Sequence, residues 1–258
     1  MFMKHLLTAI LFLLSSNTFA GLPVRYTELL PYVQAAPNQG ETNTCLFMAS
    51  TGAMELLLNK RDGIRVSRKG GSNDLSESFL IWQRDFYDRT NPSYHFIEAA
   101  VKKFNHGEAV HIKDWPFSAY YSDGTDSMEA WNQHPNFVEL PRLRVPSVVT
   151  ELLFARGKKC DTNVLSEEDI LRIKQALVEH KSPVIVNYND DNYWHVVLIV
   201  GFDDKVRGTC YEIERSECNR RGAFYVRDSN GRKYEKRAYN WFLYNGNAAA
   251  VVKLKEPN

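Results

Sequence analysis

Asn38-Gln39-Gly40-Glu41-Thr42-Asn43-Thr44-Cys45, running on into Leu46-Phe47-Met48-Ala49-Ser50-Thr51-Gly52-Ala53-Met54-Glu55-Leu56-Leu57-Leu58, is the stretch whose reading decides the fold. Gly40, Thr42, Asn43 and Thr44 are turn and N-cap residues, and from Leu46 apolar side chains recur without proline, so a helix is expected to begin near Cys45. A thiol there sits at the positive end of the helix macrodipole, beside N–H groups that lack intrahelical partners. Both stabilise a thiolate and can hold an oxyanion formed next to it. Gln39, six residues upstream, carries an amide that can return over the turn as a second oxyanion donor. Taken alone, the stretch also admits a plainer reading, because a buried cysteine serves equally well as a small inert hydrophobe.

A nucleophilic thiol needs a base within hydrogen-bond reach and a third group that orients the base. His195 opens the apolar run His195-Val196-Val197-Leu198-Ile199-Val200-Gly201-Phe202, which places it at a strand end facing the helical part of the chain. His95, His106, His111, His134 and His180 lie in helix, loop or cap contexts. The orienting group is expected from Tyr225-Val226-Arg227-Asp228-Ser229-Asn230-Gly231, where Asp228 precedes a turn. Each of these has a bland reading as well: a satisfied histidine at a sheet edge, and a simple turn signal.

With 258 residues, 44% hydrophobic and 24% charged, the chain is globular and large enough for one thick domain or two lobes. A net charge of +1, without a long basic run, argues against nucleic acid and against a polybasic membrane patch. Met1 to Ala20 reads as a cleaved signal peptide: Lys4 and His5 precede the apolar core Leu6 to Leu14, too short to span a bilayer, and Thr18-Phe19-Ala20 has small residues where a signal peptidase reads. The expected location is therefore secreted or periplasmic. Of the four cysteines, Cys210 and Cys218 are spaced to close a small disulfide loop. Cys45 and Cys160 remain, as a long-range bridge or as free thiols, and the helix-start position favours a free Cys45.

Gly21 to Pro37 reads as irregular. Helices are expected from Asp74-Leu75-Ser76-Glu77, where Asp74 or Ser76 can cap and Glu77 stands at a capping-box spacing from Asp74, from Tyr94 to Phe104, and from Ser166-Glu167-Glu168-Asp169 to His180. Pro116, Pro135, Pro141 and Pro146 interrupt the crossover from Asp114 to Thr150, which is expected to expose a loop at Ser122 to Asp126. After Pro183 the period switches to strands at Val184–Tyr188, His195–Phe202, Tyr211–Ile213, Ala223–Asp228 and Ala249–Leu254.

Order and context together resemble the papain-like cysteine peptidases. Gln39 stands at that family's oxyanion-glutamine distance from Cys45; Ala53-Met54-Glu55 resembles the end of its active-site helix, and Leu75-Ser76-Glu77 its Leu-Ser-Glu opening. Gly107 with Trp115-Pro116-Phe117 resembles the glycine and Tyr-Pro-Tyr that follow. Ile173 to Leu177 through Ser182-Pro183-Val184 is similar to the helix and Pro-Val strand before the histidine. His195 to Phe202 resembles His-Ala-Val-x-x-Val-Gly-Tyr, and Val226 to Gly231 the Lys-Asn-Ser-Trp-Gly site.

The resemblance implies an α+β, papain-like two-lobed fold: residues 21–140 a mainly helical lobe with the nucleophile, residues 141–258 a mainly β, antiparallel barrel-like lobe with the histidine. The cleft lies between them. It implies a thiol endopeptidase acting on peptides or proteins, with Cys45 as nucleophile, His195 as acid and base, Asp228 as orienting group and Gln39 as oxyanion donor. It implies no cofactor, no metal and no membrane span. The chain departs from the family at Asp228, where Asn is usual, at Leu46 after the nucleophile, and at Asn230, where a tryptophan shields the histidine; Trp194 or Trp241 is expected to replace that shield. Only 24 residues lie between Ala20 and Cys45, so no inhibitory pro-domain is expected. Two further readings stay open: a peptidoglycan peptide amidase or endopeptidase, and a catalytically silent papain fold used for binding.

Overall fold

The computed structural model describes residues 21–40, 42–66, 73–82, 97, 100, 101, 103–117, 139–155, 165–190, 193–210 and 221–255. Helix α1 spans Cys45–Arg61, starting at the residue that the turn chemistry picks out. Every residue from Cys45 to Asn59 is buried, which is why apolar side chains surround this helix instead of forming a stripe. Thr44, the N-cap, makes no side-chain cap bond. The threonines build the preceding turn instead: Thr42 Oγ1 donates to the Gln39 carbonyl at 2.7 Å and lies 2.7 Å from the Thr44 hydroxyl.

Helix α2, Glu77–Trp82, is capped by Ser76, whose Oγ accepts the Phe79 N–H at 3.1 Å. Of the two caps the sequence offers, Ser76 is the one used, and the Asp74–Glu77 box does not form. Glu77 is the first helical residue and its carboxyl is fully buried, 3.8 Å from Arg227 Nη2. Of the helix read at Tyr94 to Phe104, Ile97, Ala100 and Val101 are helical among the described residues, and a short 3-10 turn, Lys103–His106, ends at Gly107 with φ +79°. Helix α3, Glu167–His180, carries a full capping box between Ser166 and Asp169, and Ile170, Ile173 and Leu177 face the core.

The strands are β1 (Arg25–Tyr26), β2 (Glu108–Ala109), β3 (Leu143–Arg144), β4 (Val148–Ala155), β5 (Val184–Asp190), β6 (Tyr193–Asp203), β7 (Ala223–Arg227), β8 (Glu235–Ala238) and β9 (Gly246–Leu254); helix α4, Tyr239–Asn245, precedes β9. The main sheet runs β4-β9-β5-β6-β7-β8, with β1 added on β6, and its pairings are antiparallel. β2 and β3 form a small separate pair. β1 corrects the irregular reading of Gly21 to Pro37: two residues paired with Phe202 and Asp203 are too short to show an alternation. β4 begins at Val148, inside the end of the proline-interrupted crossover, runs five residues past Thr150, and holds one sheet edge. α1 packs along β6, so helix and sheet share one hydrophobic core from Tyr26 to Val252.

The loop at Ser122 to Asp126, the strand at Tyr211 to Ile213, Cys160 and Cys218 lie outside the described residues. Cys210 is disulfide-bonded, and Cys45 is a free, buried thiol. Among the described residues no helix is long and apolar enough to cross a membrane.

Candidate active site

The sheet brings His195 to the start of α1. His195 is the third residue of β6, not its first, and pairs with Tyr188 on β5, whose ring meets the imidazole edge-on at 5.2 Å between centroids. His195 Nε2 lies 2.7 Å from Asp228 Oδ1. The Cys45 thiol is a hydrogen-bonding neighbour of the same ring, so the imidazole stands between thiol and carboxylate. Burial alone would lower the histidine pKa. The hydrogen bonds to Asp228 and Cys45, and the charges behind them, outweigh it and push His195 up to about 9. The imidazolium holds Asp228 well below the usual carboxylate range in spite of its burial, and Arg237 adds to this.

Gln39 is 5% exposed, and its amide is fixed from both sides. Its Nε2 donates to the Thr42 carbonyl at 2.7 Å, and its Oε1 accepts the hydroxyl of Ser229. Ser229 also donates its backbone N–H to Asp228 Oδ1 at 2.7 Å. Its carbonyl accepts the Gln39 N–H at 2.9 Å, beside an antiparallel bridge between Asn38 and Asn230. The turn before the thiol and the turn after β7 are therefore one hydrogen-bonded unit.

Arg227, the last residue of β7, sends its side chain to the helical side. Nε donates to the Gln34 carbonyl at 2.8 Å, Nη1 to the Met48 carbonyl in the first turn of α1 at 2.5 Å, and Nη2 to Glu55 Oε2 at 3.1 Å. Glu55 Oε1 accepts the Leu75 N–H at 2.8 Å. The two glutamates of the helix motifs thus meet on one buried cation next to Asp228. Burial, with repulsion from neighbouring carboxylates, raises Glu55 and pushes Glu77 up to about 7, and burial raises Asp74, all against the pull of Arg227. Gly52 is required by the same arrangement: a methyl there would collide with the guanidinium of Arg227.

All four residues singled out by sequence, Cys45, His195, Asp228 and Gln39, lie in this unit. Ser229, Arg227, Tyr188 and Arg237 were not singled out. The signal for Arg227 was a charge in the buried strand Ala-Phe-Tyr-Val-Arg; Arg237, in Glu235-Lys236-Arg237, reads as part of a solvated charge run yet is 3% exposed. Of the two tryptophans expected as shields, Trp241 is buried against Tyr188, with ring centroids 4.3 Å apart, while the side chain of Trp194 lies outside the described residues. Among the described residues no group of three histidine, cysteine or acidic side chains is assembled to hold a metal ion.

No family model matches the chain, and no curated protein matches it by sequence. Solved structures do match. The cysteine protease and lectin-like domains of Cwp84, a surface-layer-associated protein of Clostridium difficile, are 17% identical over 97% of this chain with a TM-score of 0.58. Digestive procathepsin L2 from Tenebrio molitor larval midgut is 18% identical over 93% of this chain and 71% of its own, with a TM-score of 0.55. Bromelain from Ananas comosus, in complex with the E64 inhibitor, is 12% identical over 91% of this chain and 100% of its own, with a TM-score of 0.52. The chain spans 60% of that Cwp84 structure and 58% of another, solved after propeptide cleavage. At such identities the likeness establishes architecture alone, and that architecture, helices packed on an antiparallel sheet with the helix that begins at Cys45 against the strand that carries His195, is the papain-like fold.

Proposed function

We propose that this chain is an exported papain-like cysteine endopeptidase that hydrolyses peptide bonds through Cys45, His195 and Asp228, with Gln39 as an oxyanion donor. The observation that carries the proposal is His195, 2.7 Å from Asp228 by one ring nitrogen and next to the Cys45 thiol. With its pKa at about 9, the imidazole is protonated at neutral pH and pairs with a thiolate at the helix start. The thiolate attacks the carbonyl carbon, and the oxyanion is received by the Cys45 N–H and the Gln39 amide. Collapse breaks the C–N bond as His195 gives its proton to the leaving amine, which leaves a thioester. The neutral imidazole then takes a proton from water, the water oxygen attacks the thioester carbon, and the acid departs with the thiolate restored.

Export rests on the Met1 to Ala20 segment, and the surface-layer association of Cwp84 is in keeping with it. The test is labelling of the full chain by an epoxide or iodoacetamide at pH 7. Cys45 should react rapidly, Cys45→Ala should abolish the label and His195→Ala should slow it at least tenfold, on the scale of about 10²–10⁴ for general acid–base assistance. Labelling indifferent to His195 refutes the pair. Digestion of casein rather than purified sacculi separates a protein substrate from a cell-wall peptide.

A further inference from the structure

The family's usual partner for the histidine is a neutral amide, and here it is a carboxylate whose second oxygen is also engaged. Asp228 Oδ2 accepts Arg237 Nη2 at 2.8 Å. The same guanidinium donates through Nη1 to the Tyr188 hydroxyl at 3.2 Å and through Nη2 to Glu235 Oε1 at 2.5 Å. It also lies 4.5 Å from the centroid of the Trp241 ring. Among the described residues, the groups that face the His195 ring include Cys45 from α1, Tyr188 from β5 and Asp228 from the turn after β7. Arg237 holds two of those three.

We propose that Arg237 is a positioning residue for His195: it clamps Asp228 and Tyr188 around the imidazole and offsets the negative charge that Asp228 brings to a place usually occupied by an amide. Asp228 is thereby kept in one orientation, with Oδ1 for His195 and Oδ2 for the guanidinium, and Trp241 closes the far side of the cation. The proposal rests on the Cys45–His195 reading above, but its test does not depend on peptide cleavage. Removing the cation commits the whole carboxylate charge to His195, so the imidazolium should be held more strongly.

The experiment is an NMR titration of the His195 ring in the full chain, in Arg237→Gln and in Arg237→Lys. Arg237→Gln should raise the His195 midpoint by about one pH unit, the lower end of the range for one nearby charge. Arg237→Lys, which keeps the charge, should lie closer to the parent chain. The alkaline limb of Cys45 alkylation should move with the midpoint. Should Arg237→Gln not fold, the unsubstituted chain still decides: the guanidinium N–H resonances of Arg237 should titrate with the midpoint of His195. A merely structural arginine would lower thermal stability and leave the His195 midpoint where it is; an unmoved or lowered midpoint, or flat guanidinium resonances, overturns the proposal. An inert Cys45 beside a shifted His195 would instead remove the peptidase reading and leave the positioning role standing.

Discussion

Replacing Glu77 by Gln should flatten the dependence of folding stability on pH between about 4.5 and 7. Glu77 and Glu55 are fully buried against one cation, Arg227, and neither oxygen of Glu77 has a hydrogen-bond partner among the described residues. Burial first, with repulsion from Asp74, lifts Glu77 from 4.5 to about 7 against the attraction of Arg227. A carboxyl raised in this way binds more protons folded than unfolded between those two values. Its contribution is therefore present at low pH and is lost as pH rises through the folded-state pKa. From 4.5 to about 7, at ~1.4 kcal/mol per unit, the loss is about 3 kcal/mol, a large share of the roughly 5–15 kcal/mol that holds a typical domain. Gln has no proton to release, so urea unfolding followed by tryptophan fluorescence at pH 5 and pH 8 should show the parent chain losing that amount relative to the variant. His195, raised from 6.5 to about 9, adds a further fall on the alkaline side that both proteins share, so the difference between them carries Glu77 together with the part of the Glu55 shift that repulsion from Glu77 supplies. Parallel stability curves for parent and variant would refute the assignment of a buried, proton-holding Glu77.

Three other outcomes follow from the same geometry. Asp228→Asn removes the charge that favours the imidazolium, so the alkaline limb of Cys45 alkylation should fall by about one pH unit; a limb that rises contradicts the pairing. Ser229→Ala leaves the Gln39 carbonyl oxygen without its donor and loosens the amide, and steady-state kinetics on a peptide amide should show kcat about tenfold lower with KM little changed, less than the roughly 10²–10³ for deleting a donor outright. An unaltered kcat would detach Gln39 from the reaction. Gly52→Ala should gain about 1 kcal/mol of helix propensity yet lower Tm, because the methyl displaces the Arg227 guanidinium and overpacking costs about 1–3 kcal/mol; a raised Tm would show that the contact is soft.

The parts legible in the sequence were those where local chemistry and final structure agree. The turn before Cys45, the acidic helix start at Ser166 and the apolar runs of β5, β6 and β9 each carry their structure in adjacent residues. What escaped depends on partners far along the chain. β1 exists because two residues find Phe202 and Asp203, and Glu77, spaced for a cap, is drawn inward by Arg227, 150 positions away. Arg237 escaped because an arginine between Lys236 and Ala238 has no local mark of burial; its partners, Asp228, Tyr188 and Trp241, converge only once β5, β7, β8 and α4 have assembled.

The pairing of Asn38-Gln39 with Ser229-Asn230 has a consequence for how a ligand enters. Thiol and imidazole come from a helix and from the sheet, yet their flanking turns are fastened to each other by the Gln39–Ser229 bonds and the Asn38–Asn230 bridge. Prising the two sides apart would have to break that clasp first. For the site proposed above, such a clasp means that a ligand should not be charged the free energy of shifting a reluctant population, and its apparent affinity should equal its intrinsic one. Association should then be single-phase, with an observed rate that rises linearly with ligand concentration and shows no slow closing step.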